Sequence, residues 1–171
     1  MKSVLFMTNY PAPYRVQFFD ELGKYCDLTV VFEEVAGIQK NRNTGWFINQ
    51  SENFKAIYLC SKFYGALKIC PDIVKILKKS YDKIFVGLYS TNTAILAIIY
   101  MNTKKIPFIL STDGGFISKE PFLKYKIKKY LVGSAKEWMS TGKFATDYLV
   151  HYGAKKEKIH FYSFTSLTEK D

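Results

Sequence analysis

Two histidines and three cysteines are all that this chain of 171 residues holds of those types. His151 and His160 are too few for a histidine-based metal site, and no HExxH is present. Cys26, Cys60 and Cys70 are odd in number and form no CxxC, which points to reduced thiols in a cytoplasmic protein and to no metal. Three chemistry-bearing motifs are also missing. No GxGxxG follows the first apolar run, no GxxxxGK[ST] occurs, and there is no GxSxG, which argues against an NAD-binding fingerprint, a P-loop NTPase and an α/β-hydrolase triad. No organic cofactor is expected. The longest apolar run, residues 94–101, is far short of the roughly 20 residues that span a bilayer. The opening "MKSVLFMTNYP" ends its apolar run at Pro11 and reads as a first strand, not a signal peptide. Acid is scarce: 15 acidic residues stand against 25 basic ones, a formal charge of +10. Such a balance favours anionic partners, whether nucleic acid, lipid headgroups or a phosphate-bearing substrate, without choosing among them.

What is abundant is core material. Hydrophobic residues make up 48% and aromatics 17%, with 14 Phe and 13 Tyr, which excludes disorder. Apolar β-type runs at 4–8, 28–32, 54–59, 83–87, 108–112, 137–140 and 158–162 alternate with helix-period segments. The first helical segment, 14–25, puts Phe18, Phe19, Leu22 and Tyr25 on one face. The next carries Leu67, Cys70, Val74 and Leu77, with Pro71 in a first turn. Segments 91–103, 122–131 and 143–152 follow, the last stopping at Gly153. Strands such as "KIFVG" and "PFIL" are apolar almost throughout, the mark of a parallel sheet covered on both faces. The expected fold is therefore α/β: a Rossmann-like, doubly wound, mostly parallel sheet of about seven strands with helices on both faces. Residues 1–165 read as one domain, 166–171 as the start of a linker, and the polar stretch 33–52 as a long loop near the sheet edge.

In open α/β sheets, ligands bind beyond the carboxyl ends of the strands at the switch point. Three loops are expected there. The first, Asn9 to Arg15, contains Pro11 and Pro13 and delivers Tyr14 and Arg15 to the start of a helix. The second holds Ser90, Thr91 and Asn92, of which Ser90 or Thr91 caps a helix whose free N–H groups favour an anion. The third is Asp113-Gly114-Gly115, where "FILSTDGGF" turns from buried strand to a turn that lets something approach the backbone closely. Each feature also has a purely structural reading. The prolines shape a turn, the hydroxyls cap, Asp113 organises its own turn, and Arg15 makes a surface ion pair. A two-carboxylate hydrolase needs an acid matched to Asp113, and Asp20, Glu21 and Glu120 have no clear claim. Farther on, "KEPFLKYKIKKYL" reads as a basic amphipathic helix, with Leu123, Ile127, Tyr130 and Leu131 as its apolar stripe. Lys124, Lys126, Lys128 and Lys129 lie largely off that stripe, either solvated or facing an anionic bilayer. The pattern matches no recognised DNA or RNA module, so nucleic acid is not an expected partner.

The stretch "TNYPAPYRVQFFDELGKYCDLTVVFEE" resembles the opening strand, acceptor loop, helix and second strand of family 4 retaining glycosyltransferases of the GT-B fold. From "STDGGF" through "KEPFLKYKIKKYLVGSAKEWMSTGKFATDYLVHYGAKKEKIHFYSFTSL", the chain is similar to the later half of that family's N-terminal domain. The resemblance implies half of a two-domain enzyme. This half would bind a glycan or lipid-linked acceptor, and an absent C-terminal domain would bind the nucleotide-sugar donor through a pair of glutamates. The fragment would then be inactive alone. Carried over by position, Tyr14, Arg15, Ser90, Thr91, Asn92, Gly114 and Gly115 fall in the acceptor region. Asp113 falls where the family places a polar residue, often His, beside the reacting sugar. Asp in that place is a departure, and it leaves open whether the residue assists deprotonation or orients a hydroxyl. Pro11-Ala12-Pro13 replaces the family's first-loop Gly-Gly, which argues against donor contact from that loop. The implied setting is cytoplasmic, peripheral at the inner face of the membrane, in polysaccharide biosynthesis. The rival reading is a stand-alone binding subunit that pairs with a separate catalytic chain.

Overall fold

The computed structural model describes residues 1–33, 52–60, 62–64 and 67–163. The expected loop 33–52 lies outside them apart from its two ends, and so does the expected linker. Strand β1 (Ser3–Thr8) has five successive buried side chains because both of its faces are covered. It leads through α1 (Pro13–Gly23) to β2 (Asp27–Phe32) and on to β3 (Phe54–Tyr58). The chain then makes a short antiparallel ribbon, β4 (Lys62–Tyr64) with β5 (Leu67–Ile69), and a short helix α2 (Ile73–Leu77). From there β6 (Lys83–Val86), α3 (Asn92–Thr103), β7 (Ile109–Thr112), α4 (Phe122–Gly133), β8 (Glu137–Ser140), α5 (Lys143–His151) and β9 (Ile159–Phe161) alternate.

Seven strands form one sheet in the order β3-β2-β1-β6-β7-β8-β9, and every pairing in it is parallel. The chain winds outward from β1 to β3, then returns to β6 on the other side of β1. The order therefore reverses between β1 and β6, and that crevice is the switch point of the doubly wound fold. Alternate side chains of the strands feed two cores. Leu5, Met7, Ile84, Val86, Leu110 and Trp138 meet α2 to α5 on one face. Val4, Phe6, Leu28, Val30 and Phe32 meet Phe19 of α1 on the other. Phe6 stacks on Phe85 with ring centroids 5.5 Å apart, and Phe19 contacts Phe6, Phe32 and Phe54. Trp138 is buried with its indole N–H satisfied by the Val132 carbonyl at 2.8 Å.

Three local expectations are corrected. The helical segment expected to start near Leu67 is instead a strand, a turn at Pro71 and one and a half turns of helix, because residues 67–69 pair with β4. Tyr25 is exposed, not on the apolar face of α1, since the helix ends at Gly23. A Cβ at Gly23 would meet the Asn53 carbonyl oxygen at 1.9 Å, so this glycine brings the helix end against the strand entry. In α4 only Leu131 and Val132 are buried, and Leu123, Ile127 and Tyr130 of the expected core stripe face outward. Gly153 terminates α5 as expected, with φ of 97° in the left-handed region.

Candidate functional site

The carboxyl ends of β1, β6 and β7 bring their loops together. After β1, the Asn9 side chain accepts from the Tyr10 amide at 3.0 Å, and Pro13 opens α1 at a position that needs no N–H partner. This turn places Tyr14, partly buried, and Arg15 in the first turn of α1. Arg15 crosses the sheet edge. Its Nη2 donates to Asp113 Oδ2 at 2.7 Å and its Nη1 to the buried Thr8 hydroxyl at 3.4 Å. A Cβ at Gly87, the residue after β6, would stand 3.9 Å from Arg15 Nη1 and 2.9 Å from the Met7 carbonyl oxygen. The guanidinium thus threads between the first two strand ends to reach the third. Its side chain is 19% exposed, while that of Asp113 is 57% exposed, so the carboxylate is held from below and open above.

Asp113 does not organise its own turn. The Gly114 amide donates to the Thr112 hydroxyl at 3.1 Å, which leaves the Asp113 carboxylate to Arg15. The two glycines face the protein. Gly114 has φ of 109°, a Cβ on it would lie 3.3 Å from Ala145, and a Cβ on Gly115 would lie 2.7 Å from the Tyr148 ring. The turn therefore lies flat on α5. Beyond it opens a groove of about 520 Å³ lined by Asp113, Gly114, Gly115, Phe116, Ile117, Phe144 and Asp147.

After β6, Thr91 caps α3. Its hydroxyl accepts from the Ala94 amide at 3.1 Å and donates to Glu33 Oε1 at 2.8 Å. Glu33 is buried at the end of β2. Asn92 donates through Nδ2 to the Lys68 carbonyl at 3.0 Å, so both residues tie the loop to its neighbours. Ser90 is exposed and lines a second groove, of about 390 Å³, between Tyr89 and the α4 residues Leu123, Ile127 and Leu131.

Behind the turn runs a chain of polar contacts for which the sequence has no motif. The Tyr89 and Tyr148 hydroxyls are hydrogen-bonded to each other, and burial together with that bond pushes the Tyr89 phenol well above its ordinary range. Tyr152 donates to Glu120 Oε1 at 2.5 Å, and Lys128 reaches Glu120 Oε2 at 2.8 Å. Hydrogen bonding from Lys128, then from Tyr152, holds the Glu120 carboxyl below the usual range. Lys128 is accordingly turned inward over the Tyr152 ring, whereas Lys124, Lys126 and Lys129 are exposed. Of the four lysines expected on an outer face, Lys128 is the one the structure places elsewhere. Among the described residues, no cluster of three or more His, Cys, Asp or Glu is placed to hold a metal ion. No described helix is long and apolar enough to cross a membrane.

No family model matches the chain, and no curated protein matches its sequence. Solved structures do match its fold. The Anabaena protein Alr3699/HepE in complex with UDP and glucose superposes with a TM-score of 0.67 at 13% identity, covering 96% of this chain and 44% of that one. The same protein in complex with UDP-glucose gives 0.65, and with UDP 0.62, each at 14% identity and the same coverage. The likeness is one of fold. This chain spans less than half the length of the Alr3699/HepE chain.

Proposed function

We propose that the chain is the N-terminal, acceptor-side domain of a glycosyltransferase of the GT-B type. The transferase moves a hexose from a nucleotide-sugar to a hydroxyl of a glycan or lipid-linked acceptor, with retention, as in the family 4 enzymes it resembles. The observation that carries the reading is the Arg15–Asp113 pair across the switch point, where open α/β sheets bind their ligands. Asp113 presents its carboxylate to the groove as an acceptor for a sugar hydroxyl, and Arg15 fixes its direction. Phe116 and Phe144 offer apolar surface beside it for the ring of the sugar. The fold likeness to a protein seen with UDP, glucose and UDP-glucose supports the same class of ligand. Donor binding belongs to a second domain, and the chain by itself is inactive. The acceptor is carried on a membrane lipid and approached from the cytoplasmic face, in the assembly of cell-surface glycan.

Asp113→Ala in the full-length enzyme tests the assignment. The expected result is a loss of about 10²-fold in kcat/KM, in the range seen when one preorganised polar contact to a reacting group is removed. Arg15→Met is expected to lose about tenfold through misplacement of the carboxylate. The Asp113 carboxylate is 57% exposed and solvent screens the pair, so the effect on stability should stay within about 1 kcal/mol. Turnover and acceptor affinity left intact in Asp113→Ala would remove Asp113 from the site.

A further inference from the structure

Helix α4 wears its second apolar face outward. Phe122, Leu123, Lys126, Ile127 and Tyr130 recur at the spacing that puts them on one side of a helix. Phe122 is 74% exposed and Leu123 71%, with Ile127 and Tyr130 about half exposed. The loop just ahead adds Phe116 and Ile117, also exposed. Isolated exposed apolar residues are ordinary, but a run of them along one helix and its leading loop marks an interaction surface.

The charge around this face chooses its partner. Lys119, Lys124, Lys126 and Lys129 are all exposed, and the helix sequence FLKYKIKKYLVG contains no acid. The nearest acid before it, Glu120, is turned inward to Lys128 and Tyr152. The surface is therefore cationic and apolar together, with Lys126 Nζ 5.1 Å from the centre of the Phe122 ring. A globular protein covering it would strip water from several ammonium groups at once, which is costly without matching acids. A lipid surface makes no such demand. Apolar side chains enter the acyl boundary while the long lysine stems keep their ammonium groups among the headgroup phosphates.

We propose that this face of α4 docks on an anionic lipid bilayer, with Phe122, Leu123 and Ile127 as the inserted side chains and Lys124, Lys126 and Lys129 as the phosphate contacts. The proposal deepens the membrane setting of the sugar-transfer reading, and the vesicle experiment below involves neither donor nor acceptor. Either can fail without the other.

The test is sedimentation of the 171-residue chain with vesicles of phosphatidylcholine alone, or with about one-third phosphatidylglycerol as the anionic lipid. The expected result is binding to the anionic vesicles that weakens with salt, and little binding to the neutral ones. Phe122→Ser/Leu123→Ser and, separately, Lys126→Gln/Lys129→Gln are each expected to weaken it by about tenfold or more. All four positions are exposed, so an unchanged thermal transition serves as the control for folding. No binding to anionic vesicles overturns the proposal, as does binding that both double variants leave unchanged. A single-stranded oligonucleotide bound as tightly as the vesicles, with no effect of the Phe122→Ser/Leu123→Ser change, overturns it in favour of nucleic acid.

Discussion

Gly114 and Gly115 follow Asp113, whose carboxylate receives Arg15 from across the sheet edge, and their bare Cα atoms face α5. A Cβ on Gly115 would stand 2.7 Å from the ring of Tyr148, which is buried and bonded through its hydroxyl to Tyr89, so the ring has little room to yield. Gly115→Ala is therefore expected to destabilise by about 1–3 kcal/mol, the usual cost of overpacking. Urea denaturation measures it, and a change below about 0.5 kcal/mol, the range of an indifferent surface substitution, would mean the turn is looser than described. Gly114 carries a second demand, a φ of 109° that a side chain tolerates poorly. The opening role read for these glycines, closeness to a ligand, thus has a structural companion: closeness to a helix. Sequence alone reached both residues but not their neighbour. Ala145 and Tyr148 lie about thirty positions away, and nothing in a local pattern points to them. Arg15 and Asp113 are a sharper case. Each was legible as a strand-end residue, and their contact was not, because 98 residues separate them.

At the scale of elements, the polar chain of Tyr152, Glu120 and Lys128 binds the loop before α4 to α4 and the end of α5. Glu120 has its carboxyl lowered in the folded state, so its contribution to stability is present above its unfolded value, near pH 4.5. That contribution is lost as pH falls through the folded value. Lys128 is raised, chiefly by Glu120, so its contribution holds below about pH 10.5 and is lost as pH rises through its folded value. The pair is thus fully in force at neutral pH. Glu120→Gln should lower the denaturation midpoint near neutrality, and the gap from wild type should close as the pH falls through the depressed folded-state value of Glu120, below which position 120 is uncharged in both proteins. A gap independent of pH would assign the effect to packing and not to charge. Tyr152→Phe, which removes a buried hydroxyl bonded to both partners, is expected to cost about 1–3 kcal/mol at neutral pH. Where the elements were most legible in the sequence, the reason was burial on both faces: β1, β2 and β7 carry apolar runs that stand out whatever they pair with. The ribbon at 62–69 was not legible, because its pairing overrides a helix-like spacing of Leu67, Cys70, Val74 and Leu77. The facing of α4 was not legible either. Periodicity reveals that a stripe exists, and tertiary packing decides which side meets the core.

At the scale of the whole molecule, the proposed transfer reaction raises the question of which of its substrates this sheet edge would serve. Among its described lining residues the groove beside Asp113 has two carboxylates, Asp113 and Asp147, two phenyl rings and no lysine or arginine. Arg15, which lies beneath it, is already paired. A diphosphate would meet two carboxylates there and no unpaired cation among the described lining residues, whereas an uncharged sugar finds hydrogen-bond acceptors beside apolar surface. The overall charge of +10 therefore does not gather at this groove, and the exposed lysines of α4 present a part of it elsewhere. Under the proposed reading, the chain alone should give no measurable heat with UDP-glucose in calorimetry. A product read through from the coding message past Asp171, carrying a further α/β domain of about 200 residues with a spaced pair of glutamates, should bind it in the micromolar range common for enzyme substrates. Binding of UDP-glucose by the 171-residue chain with comparable affinity would put the donor at this sheet edge and reverse the assignment of the two halves. A message that stops at Asp171 would leave the groove for an uncharged sugar intact and move the transfer chemistry to a separate chain.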